Sequence, residues 1–84
     1  MIQSPIMEID VHGCTVDEAV KKIDACIKKA TSATYRIRII HGYNRGTNIQ
    51  QAIYREFGYG LEPKIKRIIG GNNPGITELI LREY

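Results

Sequence analysis

The sequence predicts an α+β fold: a two-layer sandwich in which two helices cover one face of a four-stranded mixed sheet, in the order β-α-β-α-β-β. Two observations support this fold class. Segments with helical hydrophobic spacing follow each of two short alternating strands, and two further apolar strands close the chain. The first helical segment is long enough to join two parallel strands by a crossover, and such crossovers are right-handed.

The composition indicates one soluble globular domain. The chain has 84 residues, of which 43% are hydrophobic and 25% are charged, enough for one modest core. We expect residues 1–5 to form a flexible N-terminus and residues 6–84 to form the domain. No apolar run is long enough to span a membrane, and no secretory signal is recognisable. Cys14 and Cys26 lack metal-ligand and redox-motif spacing, which favours free thiols and a cytoplasmic location.

The first strand is predicted from alternating apolar and polar residues, and the first helix from an N-terminal capping box. In the segment 6–12, Met7, Ile9 and Val11 share one face and the polar residues share the other, which is typical of a half-buried strand. A capping box formed by Thr15 and Glu18 then begins an amphipathic helix that extends to about residue 30.

The second strand and second helix follow the same pattern. Segment 35–40 alternates between apolar and basic residues, which predicts a strand. A second capping box, over residues 47–50, predicts a shorter helix that ends at Gly58. Segments 65–69 and 76–81 are the last two strands, joined by the turn formers of residues 70–75. With both helices on one side, the other sheet face is open and displays five polar residues: Glu8, Asp10, His12, Arg36 and Arg38.

A candidate site lies where the two parallel strands end. Because parallel strands end at the same edge of a sheet, His12 and His41 are expected close together, and ligands of such sheets usually bind at that edge. The second helix has no acidic residue in its first turn, so its positive N-terminus is free to receive an external phosphate. Residues 35–67 carry seven basic and two acidic side chains, a local charge of +5. This charge suits a polyanion; the alternative is an ordinary solvated surface.

Two motifs at these strand ends resemble those of the small MutS-related (Smr) domain. Asp10-Val11-His12-Gly13 matches the family's Asp-x-His-Gly motif. The loop His41-Gly42-Tyr43-Asn44-Arg45-Gly46 is similar to its His-Gly-x-Gly-x-Gly loop, with Asn44 in place of the middle glycine. The glycine-rich turn at residues 70–77 is also family-like, so the resemblance covers residues 6 to about 82.

This resemblance implies a fold like that of the C-terminal domain of bacterial translation initiation factor three. It also implies nucleic-acid binding and, in many family members, endonuclease activity that nicks DNA or cleaves RNA. With nothing appended to it, the chain is expected to be a stand-alone form. DNA or RNA is therefore the expected partner, and the sequence does not choose between them or give the oligomeric state.

Each candidate residue has a functional and a structural interpretation. Asp10 is expected to orient His12 as a general acid or base; the alternative is a surface aspartate beside a structural histidine. His41 is a candidate second acid or base, or a phosphate contact; the alternative is a strand-ending histidine bonded to backbone. The candidate phosphate or nucleic-acid contacts are Gly13, Gly42, Tyr43, Asn44, Arg45, Gly46, Thr47, Arg36 and Arg38.

Structural alternatives also apply to those contacts. Gly42 and Gly46 are expected to shape the loop rather than to contact a ligand. Thr47 is also interpreted as a plain N-cap. Arg36 and Arg38 would otherwise be solvated charges that protect an edge strand from aggregation. No metal site and no cofactor is assigned, although cleavage of DNA leaves a divalent metal open. The principal hypothesis is a nucleic-acid-binding endonuclease; the alternatives are a binding module without catalysis and a protein-interaction domain.

Overall fold

A computed structural model describes residues 6–42, 46–58, 60–71 and 73–82 of the chain. Its elements are β1 (Ile6–Asp10), α1 (Val16–Lys29), β2 (Arg36–Ile40), α2 (Gly46–Phe57), β3 (Arg67–Gly70) and β4 (Ile76–Ile80). The predicted α+β class and element order are confirmed. The expected flexible N-terminus, residues 1–5, lies outside the described residues.

The four strands form one mixed sheet in the order β1-β2-β4-β3. β1 and β2 are parallel, with Glu8 opposite Arg38 and Asp10 opposite Ile40. β4 runs antiparallel to both of its neighbours, β2 and β3. The C-terminal ends of β1 and β2 therefore lie side by side at one edge of the sheet, as the sequence predicts.

Both helices and one face of the sheet enclose the core. Ile23 and Ile27 of α1, Ile53 of α2, and Ile37 of β2 are at most 1% exposed and belong to the same buried cluster. Full burial of one such side chain contributes about 1.5–3 kcal/mol, so this layer is the main source of stability. The predicted capping box of α1 is confirmed: Thr15 Oγ1 accepts from the Glu18 N–H at 3.2 Å, and the Thr15 N–H donates to Glu18 Oε1 at 3.0 Å.

Two strand boundaries differ from the prediction by two residues, and both have local reasons. β1 ends at Asp10, two residues early, because the His12 N–H donates to Asp10 Oδ1 at 3.0 Å and forms no ladder bond. β3 begins at Arg67 instead of residue 65, because the Ile65 N–H bonds back to the Glu62 carbonyl at 3.0 Å and forms a turn.

The open sheet face carries a network of paired charges. Arg36 Nη1 donates to Glu78 Oε1 at 2.7 Å, and Arg38 Nη1 lies 3.5 Å from Glu8 Oε2. Glu78 is only 4% exposed, and Arg38 Nε lies 3.9 Å from its Oε2. The sequence analysis placed both arginines on this face but missed Glu78, which balances much of their charge.

Within the described ranges, no helix is both long and apolar enough to cross a membrane.

Candidate functional site

Asp10 and His12 form a hydrogen-bonded pair at the end of β1. Asp10 Oδ1 receives the His12 backbone N–H at 3.0 Å and also bonds to His12 Nδ1. The two side chains are exposed, 51% for Asp10 and 69% for His12. The side-chain hydrogen bond from His12, and then the backbone one, lower the pKa of the Asp10 carboxyl. Asp10 is therefore an ionised acceptor near neutral pH.

This bond determines how the His12 ring is used. Because an ionised carboxylate can only accept, His12 Nδ1 must carry a hydrogen and donate it. In the neutral ring, Nε2 is then an unprotonated acceptor, and it has no partner among the described residues. A carboxylate that fixes the ring and leaves Nε2 exposed is the arrangement that a general base requires.

Gly13 and the turn around it direct His12 away from the sheet. The Cys14 N–H bonds to the Val11 carbonyl at 3.1 Å, and Gly13 has a φ of 78°. Only glycine adopts this left-handed conformation at little cost. The chain thus turns from β1 into α1 directly after His12 and leaves the imidazole on the outside of the turn.

The end of β2 lies beside His12, as the parallel pairing predicts. A Cβ atom placed on Gly42 would lie 3.6 Å from His12 Cβ, and Gly42 has a φ of 85°. A third segment joins the edge: the Gly75 carbonyl accepts from the His41 and Gly42 N–H groups, at 2.9 and 3.1 Å. A Cβ on Gly75 would lie 3.2 Å from the Gly42 carbonyl carbon, so this close approach favours glycine. The sequence analysis placed Gly75 in a turn and missed its contact with the site.

His41 does not join the exposed pair. Its imidazole is 2% exposed, with Nδ1 2.9 Å from the Gly42 carbonyl and Nε2 2.8 Å from Thr77 Oγ1. Because a carbonyl only accepts, Nδ1 carries the hydrogen, and in the neutral ring Nε2 accepts the Thr77 hydroxyl hydrogen. Both ring nitrogens are thus occupied inside the protein, and we remove His41 from the candidate catalytic residues.

Strand alternation contained the signal for this correction. His41 follows Ile37 and Ile39 at two-residue spacing, so it shares their buried face, whereas His12 shares the open face with Glu8 and Asp10. Among the described residues, no group of three His, Cys, Asp or Glu side chains is placed to hold a metal ion.

The start of α2 follows the loop after β2 and is a separate part of the candidate site from the Asp10–His12 pair. The helix begins at Gly46 and has no acidic residue in its first turn. Thr47 is exposed and is the second residue of the helix. The prediction that it is the N-cap is therefore wrong, because an N-cap residue precedes the first helical residue. Tyr43, Asn44 and Arg45, three candidate contacts, lie outside the described residues.

Lys22 is a basic neighbour that the sequence analysis missed. Its Nζ lies 3.4 Å from Cys14 Sγ, and its charge also helps to lower the pKa of Asp10. Helical spacing supplied a signal, because Lys22 lies two turns after the start of α1 on the side that faces the β1 turn. An ammonium group beside the Asp10–His12 pair favours the approach of an anion.

These features define a class: a small α+β domain with an exposed Asp–His pair beside a glycine-lined sheet edge. A family model described as the Smr domain matches residues 9–72, about three quarters of the chain. The chain belongs to the Smr domain family. Its fold is similar to the crystal structure of the Smr domain of Thermus thermophilus MutS2, with a TM-score of 0.78 and 24% identity over 92% of this chain and 99% of that one. A comparison with curated proteins gives no match.

Proposed function

We propose that this Smr domain binds nucleic acid and cleaves its phosphodiester backbone, with His12 as the general base and Asp10 as the carboxylate that orients it. One observation carries the proposal: the bond from His12 Nδ1 to Asp10 leaves Nε2 exposed at an edge where glycines open the surface. Family membership supports the same function class.

On RNA the nucleophile is part of the substrate, so no separate water nucleophile is needed. His12 Nε2 takes the proton of the 2′-hydroxyl, whose oxygen attacks the neighbouring phosphorus. The bond from phosphorus to the 5′-oxygen breaks, and that oxygen leaves with the electron pair and takes a proton from water. The products are a 2′,3′-cyclic phosphate and a 5′-hydroxyl end. General-base catalysis of this kind contributes about 10²–10⁴-fold to the rate.

On DNA there is no 2′-hydroxyl, so a water molecule must be the nucleophile. His12 Nε2 is again the proton acceptor, and a divalent metal would assist by lowering the pKa of that water. The chelator dependence of cleavage therefore separates the two reactions.

The loop before α2 is proposed to hold the phosphate. Gly42 and Gly13 keep the surface beside His12 open, and the first turn of α2, which contains Gly46 and Thr47, offers N–H groups without a competing acid. We include Tyr43, Asn44 and Arg45 in this binding loop from the sequence. Lys22, whose ammonium lies 3.4 Å from Cys14 Sγ, adds a positive charge near Asp10.

The test is to incubate supercoiled plasmid and structured RNA with the protein, with and without EDTA. Wild type and His12→Ala are compared with Lys28→Ala, a control on α1 whose ammonium pairs with Asp24 at 2.9 Å. We expect wild type and Lys28→Ala to cut at least one substrate and His12→Ala to lose at least about 100-fold in rate. If purified wild type cuts neither substrate, or if His12→Ala cuts equally well, the catalytic assignment is wrong.

A second candidate function is nucleic-acid binding without catalysis. It is favoured by the burial of His41, which leaves no second histidine to protonate the leaving oxygen. It predicts salt-dependent binding that His12→Ala leaves unchanged and that Arg36→Ala/Arg38→Ala weakens. Because Glu78 and Glu8 already pair with these arginines, we expect that double variant to weaken binding only modestly. A protein-interaction domain would show no nucleic-acid affinity even at low salt.

A further inference from the structure

A basic cavity of about 520 Å³ lies at the end of the sheet opposite His12. It opens between the last turn of α1, the segment before β3 and the end of β4. Its polar lining includes Ser32, Thr34, Lys64, Lys66 and Arg82, and no acidic residue lines it within the described part of the chain. We call this space the basic cavity.

Hydrogen bonds of the turn between α1 and β2 make one wall of the basic cavity rigid. The Thr34 N–H bonds to the Thr31 carbonyl at 3.0 Å, and Thr34 Oγ1 accepts the Thr31 N–H at 3.2 Å. Thr34 is only 4% exposed, so its hydroxyl is committed to the turn. A ligand would therefore meet a preformed wall, and little conformational entropy is lost on binding.

The charges in the basic cavity favour an anion. Lys64 Nζ donates to the Ile27 carbonyl at 3.3 Å, which offsets the negative end of α1 that would otherwise repel an anion. The Lys66 ammonium and the Ser32 hydroxyl have no partner among the described residues, so both can donate to a ligand. Arg82 supplies a third positive charge.

Neighbouring surfaces contain acidic residues beside their basic ones. On the open sheet face, Arg36 and Arg38 are paired with carboxylates. The cavity between the two helices contains Lys21 but is also lined by acidic residues, namely Asp24, Glu56 and Glu62. Compared with these two surfaces, the basic cavity has basic side chains and no acidic residue in its described lining.

We propose that the basic cavity holds a backbone phosphate of the same nucleic-acid strand that His12 attacks. This inference rests on the proposed function. β2 leads from the turn at the cavity to the edge beside Asp10, and its five residues at ~3.3 Å each span about 16 Å. If the axis of a duplex lies along β2, a rise of about 3.4 Å per nucleotide places the two phosphates about five nucleotides apart.

The test measures binding by fluorescence anisotropy between 50 and 200 mM salt, with fluorescein-labelled hairpins of 20 and of 4 base pairs, each made as DNA and as RNA. Wild type is compared with Lys66→Ala, with Lys66→Arg as the charge-retaining variant and with Lys21→Ala as the matched control. Circular dichroism verifies folding; the Lys66 N–H bonds to the Ile80 carbonyl at 2.7 Å, a backbone contact that each substitution keeps.

For the long hairpin, we expect Lys66→Ala to reduce the slope of log K against log salt by about 0.9, while Lys66→Arg and Lys21→Ala keep the wild-type slope. For the short hairpin, whose stem spans about 14 Å and is shorter than β2, all variants should match wild type. An unchanged slope for Lys66→Ala on the long hairpin, or an equal loss on both hairpins, would overturn the inference. Failure of wild type to bind any of these hairpins, RNA or DNA, at 50 mM salt would instead overturn the proposed function.

Discussion

The hydrogen bond between His41 and Thr77 determines whether His41 is a structural residue, and Thr77→Val tests it. The two side chains are 2% and 0% exposed, and His41 Nε2 lies 2.8 Å from Thr77 Oγ1. Valine keeps the shape of threonine and removes the hydroxyl. The substitution leaves His41 Nε2 as a buried acceptor without its donor.

The size of the effect follows from that loss. An unsatisfied buried polar group costs about 1–3 kcal/mol. The methyl group that replaces the hydroxyl returns at most ~0.8 kcal/mol of apolar burial. We therefore expect Thr77→Val to lower the free energy of unfolding by roughly 1–2 kcal/mol. In a domain of this size, each kcal/mol lowers Tm by about 4–8 °C.

Urea unfolding followed by circular dichroism measures the change, and a double-mutant cycle with His41→Asn isolates the pair. An asparagine is too short to reach Thr77, so the cycle should give a coupling free energy of about 1 kcal/mol. Cleavage per folded molecule should stay at the wild-type level in Thr77→Val. A variant with wild-type stability and strongly reduced cleavage would refute the structural role and return His41 to the active site.

Four further substitutions or conditions test other parts of the fold. Gly42→Ala should lose about 1–2 kcal/mol of unfolding free energy because its φ is 85°, and Gly13→Ala, with a φ of 78°, should lose a similar amount in the same urea titration. Thr15→Ala should cost about 1 kcal/mol by removing the N-cap of α1, measured as a shift of the urea midpoint. Acid should weaken the Asp10–His12 pair, because the pKa of Asp10 in the folded protein is lowered from 3.8. The contribution of ionised Asp10 to the free energy of unfolding is therefore complete above pH 3.8 and is lost as pH falls through the folded pKa. The stability of Asp10→Asn should therefore fall less than that of wild type between pH 5 and pH 3 in urea unfolding.

Local signals in the sequence were sufficient to predict the fold. Alternation in β1 and β2 depends only on residues two positions apart, and the capping box of α1 lies within four residues. The parallel pairing of β1 and β2 then brings the two strand ends together without further information. For this reason the fold class, the element order and the meeting of Gly42 with His12 were predictable.

The partners of the site residues depend on register, which the sequence does not specify directly. Glu78 lies 42 positions from Arg36, and their ion pair exists only because β4 lies between β2 and β3. Thr77 reaches His41 through the same antiparallel pairing, which sets Thr77 opposite Ile39. Strand alternation predicts the burial of His41, but its position before a glycine-containing loop kept the functional interpretation open.

The most direct test of the central claim measures cleavage and binding in the same samples of His12→Gln and Asp10→Asn. Glutamine and asparagine keep polar side chains of similar size but remove the proton acceptor in one case and the ionised orienting group in the other. The proposed mechanism predicts that single-turnover cleavage falls by about 10²–10⁴-fold in His12→Gln, and by a smaller factor in Asp10→Asn, while both keep the wild-type Kd. Cleavage at the wild-type rate in His12→Gln, or a loss of cleavage fully explained by a weaker Kd, would contradict it.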